Sequence, residues 1–383
     1  MLTSHQILLH CFFISEEIQR KTSSKLESNI NILKPERPEP IVAEIEVYPF
    51  RKKMDPSEAI DVLLNGDYVF IEDFYSTGLD LLNVLKSDLY QNTSNKSYQN
   101  QKLERANFRE ISHRILLLVD QHQLKVKKAP EIGWFKILYP EYEGFLLPFP
   151  QVQGLNSSWQ WYQKGLQLPV VSQKLYPYYG VYFPTRFEHL ELFDDWLKKY
   201  QSDKNSAYDI GLGCGVLTLQ LIKNGFQKVF ATDSNTNAII GFNEEVKRRK
   251  LHSQVELLHG DLFANCTDKA ELIVFNPPWI PASKDVEGLD KAIYYGDDLF
   301  PRFFKEAEKH LKEDGKLILL FSNLSEITET EKLHPIKDEI ANGGRFQKEN
   351  YLTKQVNPAS KKTRRDQNWR ADELVELWIL KHN

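Results

Sequence analysis

The chain has 383 residues, of which 41% are hydrophobic and 12% aromatic, and it carries a formal net charge of −4. This length and composition are sufficient for a buried core and favour two domains. The acidic balance argues against a protein that coats nucleic acid through bulk positive charge, although a local basic patch is compatible with it. The three cysteines and ten histidines show no metal-ligand spacing, so we expect a reducing compartment and no metal.

Residues 1–41 are predicted to be an N-terminal segment and linker. The most apolar run in this part, Ile7–Ile14, is too short to cross a membrane. No basic residue precedes the run and no small-residue cleavage site follows it, which argues against a secretory signal. The stretch from Lys21 to Pro40 is polar and contains prolines, as linkers do. We therefore expect a cytoplasmic protein without a membrane anchor.

Residues 42–170 are predicted to form a mixed accessory domain that frames the substrate. Its first half repeats apolar residues at helical spacing, and aromatic-rich runs with turn residues follow Pro130, which fits small strands or a substrate-facing cap. Gln91–Gln101 is rich in Asn, Ser and Gln, a composition typical of a solvated loop. The expected helices are Pro56–Leu64, Leu79–Leu89 and Phe108–Asp120, and the aromatic-rich runs are Trp134–Leu138 and Gly144–Leu147.

Residues 171–383 alternate between apolar strands and amphipathic helices, a pattern typical of a doubly wound α/β sheet. One helix with an apolar face is expected after Arg186 and another over Phe300–Lys312. After a short apolar run that precedes residue 211, the expected strands are Lys228–Thr232, Gln254–Leu258, Ala270–Phe275, Leu317–Phe321, Phe346–Val356 and Glu373–Leu380.

A glycine-rich turn, Asp209-Ile210-Gly211-Leu212-Gly213-Cys214-Gly215, lies between the first strand and a helix that begins at Val216. Glycines accept positive φ angles and leave bare backbone against which a ligand can lie. The unpaired N–H groups of the helix start point into the same space. A dinucleotide-binding turn would have a third glycine at Val216, and a phosphate-binding P-loop would continue with Lys and Ser or Thr. The turn is therefore predicted to bind a different ligand.

Acidic residues follow the next two strands. Asp233 ends the strand Lys228–Thr232, where a carboxylate is placed to accept hydrogen bonds from ribose hydroxyls. His259-Gly260-Asp261-Leu262 follows the third strand.

The fourth strand runs into Asn276-Pro277-Pro278-Trp279, the most specific feature of the chain. The two prolines stiffen the loop and lack N–H groups, which leaves the Pro277 carbonyl beside the side-chain carbonyl of Asn276. These two acceptors can bind both hydrogens of a planar –NH2 group, and Trp279 is predicted to stack on the flat group that carries it. The alternative is a strand-to-loop turn with an aromatic plug, but its position after three ordered motifs disfavours that interpretation.

With these motifs in this order, the stretch from about Tyr176 to Phe321 resembles the small-domain amino-methyltransferases of the class I, Rossmann-like group, which depend on S-adenosylmethionine. The resemblance implies a seven-stranded, mostly parallel sheet with an antiparallel last strand. It also implies a ligand beyond the carboxyl ends of the central strands. The group includes N6-adenine DNA and RNA methyltransferases and glutamine N5-methyltransferases, and Ile280-Pro281 after the motif is similar to the glutamine branch.

The resemblance also implies roles for individual residues. Asp209 and the turn glycines would hold the methionine part of the cofactor, Asp233 its ribose, and Asp261 with Leu262 its adenine. Asn276 to Trp279 would hold the target nitrogen, and Asn276 would also border the cofactor. The turn glycines are Gly211, Gly213 and Gly215. In the resembled family the strand before the turn closes over the methionine end of the cofactor, which makes Phe183, Pro184 and Arg186 candidates for the cofactor pocket. The alternative for Arg186 is that, with Glu188, it solvates the start of a helix.

The methyl acceptor is open to two interpretations at this point. The acidic net charge and Ile280-Pro281 favour protein glutamine, whereas Trp279 and a basic stretch within 357–370 favour a nucleobase. Charge runs are usually solvated hairpin tips, so the basic stretch also has a simpler explanation. A third possibility is a non-catalytic subunit that binds S-adenosylmethionine and stabilises a partner. The intact motif at Asn276 argues against it, and no oligomeric state is predicted.

Overall fold

A computed structural model of the chain describes residues 30, 32–90, 98–282, 292–327, 334–357 and 372–383. These residues form two compact units. The first unit is Glu36–Lys164, and the second is Gly165–Asn383 together with the few described residues before Glu36. The boundary between the units falls between Lys164 and Gly165, whereas the sequence predicted it after residue 170. In the described ranges, no helix is both long enough and apolar enough to cross a membrane.

The unit Glu36–Lys164 contains a mixed five-stranded sheet. Strands β1, β2 and β3 are parallel, and β4 and β5 pair antiparallel with β3. The strands are β1 (Val47–Phe50), β2 (Tyr68–Ile71), β3 (Ile115–Asp120), β4 (Gln123–Leu124) and β5 (Gly144–Pro148). The helices are α1 (Pro56–Leu64), α2 (Tyr75–Tyr90), α3 (Tyr98–Ser112), α4 (Trp134–Leu138) and α5 (Phe149–Lys164).

For this unit two sequence expectations are wrong, and of the two interpretations left open for Trp134–Leu138 the small strand is excluded. The helix expected over Phe108–Asp120 ends at Ser112, and the following residues form the strand β3. In its Ile-Leu-Leu-Leu-Val run every residue except Leu118 is buried, and β3 pairs with strands on both sides. A continuous apolar run fits a helix and a central strand equally well. The end of the expected loop Gln91–Gln101 is helical from Tyr98, and Trp134–Leu138 is a helix.

The unit that begins at Gly165 is built on a seven-stranded sheet in the order β13-β14-β12-β9-β6-β7-β8. Its strands are β6 (Ser206–Ile210), β7 (Lys228–Asp233), β8 (Val255–His259), β9 (Ala270–Phe275), β12 (Leu311–Ser322), β13 (Phe346–Gln355) and β14 (Leu374–His382). A separate small sheet pairs β10 (Ile280–Pro281) with β11 (Tyr294–Tyr295). The helices are α6 (Glu188–Leu197), α7 (Val216–Lys223), α8 (Thr236–Arg249), α9 (Leu299–His310), α10 (Leu324–Ile327) and α11 (Pro335–Asp338), followed by a π-helical turn at Glu339–Gly343.

The sheet has the expected doubly wound, mostly parallel form with an antiparallel last strand. β14 runs antiparallel to β12 and β13, and the other neighbouring pairs are parallel. The central strand β9 is buried along its whole length, and Phe300, Phe303 and Phe304 of α9 join the core on one of its faces. Strands covered on both faces are mostly apolar, and Ala270–Phe275, which is apolar apart from Glu271, has the predicted bounds.

The topology brings the glycine turn and the proline motif to the same edge of the sheet. Ile210, the last residue of β6, is in register with Phe275, the last residue of β9. The next residues along the chain, Gly211 and Asn276, therefore leave the sheet side by side. Since the chain runs outward in opposite directions from β6 and β9, this is the switch point at which doubly wound sheets bind their ligands.

Candidate active site

The glycine turn has a backbone that side chains would disturb. Gly211, Gly213 and Gly215 all have positive φ angles, of 70°, 52° and 82°. A Cβ atom on Gly215 would lie 2.0 Å from the ring of Phe242, which is too close for any real contact. Gly215 also begins α7 without a side-chain cap. The turn therefore presents bare backbone and the start of a helix at the edge of the sheet, as the sequence predicted.

Asp209 lies beneath this turn and is completely buried. Its Oδ2 accepts a hydrogen bond of 2.6 Å from the hydroxyl of Thr218, whereas its Oδ1 has no hydrogen-bond partner among the described residues. Burial raises the pKa of Asp209 to about 7, since the charged form loses its solvation, and the negative charge of Asp233 adds to this rise. A buried carboxylate oxygen without a partner fits a site that receives a positively charged or hydrogen-bonding ligand.

Asp233, at the end of β7, holds the turn in place. Its Oδ2 accepts a hydrogen bond from the backbone N–H of Gly213 at 2.7 Å, and its Oδ1 accepts one from the N–H of Asn235 at 2.8 Å. The backbone N–H of Leu212 also donates to the carbonyl of Thr232 at 2.8 Å. The carboxylate predicted to meet the ribose is thus also the one that ties β7 to the glycine turn.

Residues 179–186, the segment before α6, cross the glycine turn. The side chains of Asn235 and Asn237, at the start of α8, donate to the carbonyls of Gly180 and Tyr179 at 2.9 and 2.8 Å. A Cβ atom on Gly213 would lie 3.5 Å from the Tyr182 carbonyl, so the segment passes directly over the turn.

Of the candidates in this segment, Phe183 is half-buried and Pro184 buried. Arg186 forms an ion pair with the buried carboxylate of Glu373. Glu188, which was considered as a solvated helix start, is itself buried and accepts hydrogen bonds from the backbone and side chain of Asn357. The structure therefore gives Arg186 and Glu188 partners near the ends of β13 and β14, and a cofactor role for Phe183 and Arg186 stays a prediction.

Asp261 and Leu262 differ from each other in exposure. Leu262 is buried in the core and has a φ of 49°, an uncommon value for a residue with a side chain. Asp261 is exposed and pairs with Arg302 of α9, which also binds Asp298 at 2.8 Å. The strained backbone at Leu262 and the accessible carboxylate before it are compatible with a ligand-binding corner.

Asn276-Pro277-Pro278-Trp279 leaves β9 with Pro277 buried and the other three residues half-buried. The indole N–H of Trp279 donates to the side-chain oxygen of Asn276 at 3.1 Å and to the carbonyl of Leu320 at 3.3 Å. The Trp279 ring also packs at a right angle against His189, with 5.4 Å between ring centroids. Immediately after the motif, β10 pairs in parallel with β11.

Some residues of this site could not be found from the sequence. Thr218 is nine residues from Asp209, and His189 lies on an apolar helix face that suggested only core packing. Asn235 was detectable, because an Asn that follows a strand and precedes a helix is a common N-cap, and its side chain does accept from the N–H of Asn237.

Three further features concern a cysteine, metal ligands and charge. Cys214 is buried and burial raises its pKa to about 12, so the thiol in the turn fits a packing role. No three His, Cys, Asp or Glu side chains of the described part of the chain are grouped so that they could hold a metal ion. The basic residues Lys361, Lys362, Arg364, Arg365 and Arg370 lie outside the described residues.

The residues present fit S-adenosylmethionine. The glycine turn leaves room against the backbone, Asp233 stands at the end of the second strand, and the unpartnered Oδ1 of Asp209 lies below the turn. These are the features expected around the methionine and ribose parts of this cofactor.

Comparison with known proteins agrees with the fold. Residues 191–347 match the family model described as "Methyltransferase small domain". A putative protein N5-glutamine methyltransferase of Methanocaldococcus jannaschii is 30% identical over 180 residues, which cover 45% of this chain and 86% of that protein.

Two further relatives are named for different methyl acceptors. A release factor glutamine methyltransferase of Streptococcus pneumoniae is 30% identical and covers 40% of this chain and 56% of its own length. A ribosomal RNA small subunit methyltransferase C of Alcanivorax borkumensis is 28% identical and covers 47% and 50%. The chain thus spans about half the length of these two proteins. On the motifs, the sheet and the extent of these matches, the chain belongs to the small-domain methyltransferases, which take their methyl group from S-adenosylmethionine.

Proposed function

We propose that this protein methylates the side-chain amide nitrogen of a glutamine in another protein. The observation that carries the proposal is the position of Asn276-Pro277-Pro278-Trp279. The motif leaves β9 directly beside Gly211, where β6 enters the glycine turn. A nitrogen held by the motif therefore faces the same edge of the sheet as the cofactor turn.

The residues of the motif make an amide nitrogen more reactive. The lone pair of such a nitrogen is delocalised into its carbonyl, so the nitrogen is a poor nucleophile in its ground state. The side-chain oxygen of Asn276 and the carbonyl of Pro277 accept its two hydrogens, and both bonds strengthen as positive charge develops on the nitrogen. S-adenosylmethionine supplies an activated methyl group on a sulfonium when bound, so positioning can replace a strong base.

The orientation of the Trp279 side chain favours a glutamine over a nucleobase as the methyl acceptor. Its N–H points to Asn276 and Leu320, and its ring packs against the buried His189. A ring engaged in this way offers less surface for stacking on a nucleobase, whereas a slim amide side chain does not require such a surface. The two relatives that are 30% identical are also named for glutamine methylation.

A second candidate acceptor is an amino nitrogen of RNA. It is favoured by the basic residues between 361 and 370 and by the relative named for ribosomal RNA. The non-catalytic alternative would not require Asn276 at the end of β9.

Radiolabelled methyl transfer distinguishes these functions. The purified protein is incubated with labelled S-adenosylmethionine and a fractionated cell lysate, and label is counted separately in protein, RNA and DNA. We expect label in protein, with the added methyl group on a glutamine when the labelled band is analysed by mass spectrometry. Label in RNA would replace the proposal by the second candidate, and cofactor binding without transfer would support the non-catalytic one.

Asn276→Ala is the matched control for this experiment. Loss of one preorganised polar partner lowers turnover by roughly 10²–10³-fold while cofactor affinity stays nearly unchanged. Asn276→Asp is expected to keep more activity than Asn276→Ala, because a carboxylate still accepts hydrogen bonds. Full labelling by Asn276→Ala would mean that the motif is only a turn.

A further inference from the structure

The indole N–H of Trp279 has two acceptors, and one of them is the proposed catalytic amide. It lies 3.1 Å from the side-chain oxygen of Asn276 and 3.3 Å from the carbonyl of Leu320 on β12. Leu320 directly follows Leu319, which is in register with Phe275, so the contact joins β12 to the loop that leaves β9. The Trp279 side chain, which the sequence predicted to stack on the substrate, thus forms a hydrogen bond with Asn276 of its own loop.

Chemistry decides which atom of the Asn276 amide faces Trp279. An indole N–H is a donor only, so the atom 3.1 Å away must be the amide oxygen, and a flipped amide would place two donors against each other. Trp279 therefore selects one of the two amide orientations. An amide oxygen has two lone pairs, so Asn276 can still accept a hydrogen from the methyl acceptor.

The Trp279 ring is itself held in place. The His189 ring stands at 89° to it, with centroids 5.4 Å apart, and His189 is only 4% exposed. Burial lowers the pKa of His189 to about 4, so its imidazole is neutral at physiological pH. Trp279 is also one of the half-buried side chains that pack against the hydrophobic core of this unit.

We infer that Trp279 is a positioning residue that orients the Asn276 amide for methyl transfer, rather than a stacking surface for the acceptor. The inference rests on the proposed function for the role of Asn276.

The hydrogen bond can be tested without any methyl acceptor. Labelling the seven tryptophans with ¹⁵N gives indole N–H signals in an NMR spectrum of the full chain, and Trp279→Phe identifies the signal of Trp279 by its loss. We expect this signal to move upfield and to exchange faster with solvent in Asn276→Ala. An unchanged signal would show that the bond is absent and would overturn the inference.

Kinetics separate positioning from stacking. Trp279→Phe keeps an aromatic ring and removes the N–H, so we expect kcat to fall about tenfold while the KM of the acceptor changes less than about twofold. Combined with Asn276→Ala, it should cause no further loss of kcat, because both changes remove the same interaction. A higher KM with unchanged kcat would assign Trp279 to substrate stacking instead.

The control is Trp196→Phe, which makes the same chemical change on α6, where Trp196 stacks on Phe193. We expect its kcat and KM to remain those of the parent protein. If the lysate shows no glutamine methylation, the proposed function fails, but the indole signal still decides whether Trp279 binds Asn276. If RNA is the acceptor, the same kinetic comparison is made with the labelled RNA.

Discussion

The carboxylate of Asp233 accepts a hydrogen bond from the backbone N–H of Gly213 at 2.7 Å, and this bond connects the end of β7 to the turn after β6. The other oxygen of the carboxylate accepts from the N–H of Asn235 at the start of α8. One side chain therefore fixes the backbone of the turn and the entry to the next helix. A residue predicted to contact the cofactor thus also shapes the glycine turn that is predicted to bind it.

Asp233→Ala is expected to weaken the binding of S-adenosylmethionine by roughly 1.5–3 kcal/mol, the cost of losing a hydrogen bond to a charged group. The turn should also become less rigid, because the N–H of Gly213 loses its acceptor. Titration calorimetry measures the affinity directly. Asp195→Ala is the control, since Asp195 is exposed and pairs only with Lys198 in the contacts described. Equal affinity of Asp233→Ala and the parent protein would remove Asp233 from the cofactor site.

Gly215→Ala is expected to destabilise the methyltransferase unit for two reasons. A side chain at a φ of 82° is strained by about 1–2 kcal/mol, and a Cβ atom 2.0 Å from Phe242 adds an overpacking cost of about 1–3 kcal/mol. Gly225→Ala isolates the first effect, because Gly225 has a φ of 95° and its Cβ would meet nothing closer than 3.8 Å. Denaturant unfolding should show a larger loss for Gly215→Ala. Similar losses would mean that the Phe242 ring moves aside at no cost.

Asp209 should make stability depend on pH. Its folded pKa of about 7 lies above the ordinary value of 3.8, so between these values the folded chain keeps a proton that the unfolded chain releases. The free energy of unfolding should therefore fall as pH rises through this window, by at most about 1.4 kcal/mol per pH unit from this group. Above pH 7 the dependence should level off.

Asp209→Asn cannot ionise and should lack this contribution. The difference in unfolding free energy between the variant and the parent protein is measured by urea denaturation at several pH values across the window. We expect the difference to shift in favour of the variant as pH rises. A difference that stays constant with pH would show that Asp209 titrates normally in the folded chain.

Asp261→Ala separates a binding role from a structural one. Asp261 and its partner Arg302 are both well exposed, with side-chain exposures of 58% and 43%, and exposed ion pairs contribute only about 0–1 kcal/mol to stability. We therefore expect a small change in unfolding free energy but a clear loss of cofactor affinity. The matched variant Asp298→Ala removes the other carboxylate bound to Arg302 and should leave cofactor affinity unchanged. Equal affinities of the two variants would indicate that Asp261 serves only the ion pair.

Local sequence patterns determined the elements of the methyltransferase unit and the order of its motifs. The strand Ala270–Phe275, bounded by Lys269 and Asn276, has the predicted bounds because a strand buried on both faces is mostly apolar, and only Glu271 interrupts this pattern. Parallel strands place their carboxyl ends at one edge, so the position of Asp233 and the glycine turn at that edge could also be predicted.

Contacts between distant segments were decided by the tertiary structure alone. The run Ile115–Asp120 fits a helix by local pattern and is a strand because its backbone pairs with strands on both sides. Arg186 and Glu373 are 187 residues apart in the chain, and no local pattern pairs them. Trp279 turns inward because the register of β12 with β9 places the Leu320 carbonyl within reach of its N–H. Periodicity encodes which face of an element is buried, whereas the partner of each polar side chain depends on strand register and rotamers that only the assembled sheet defines.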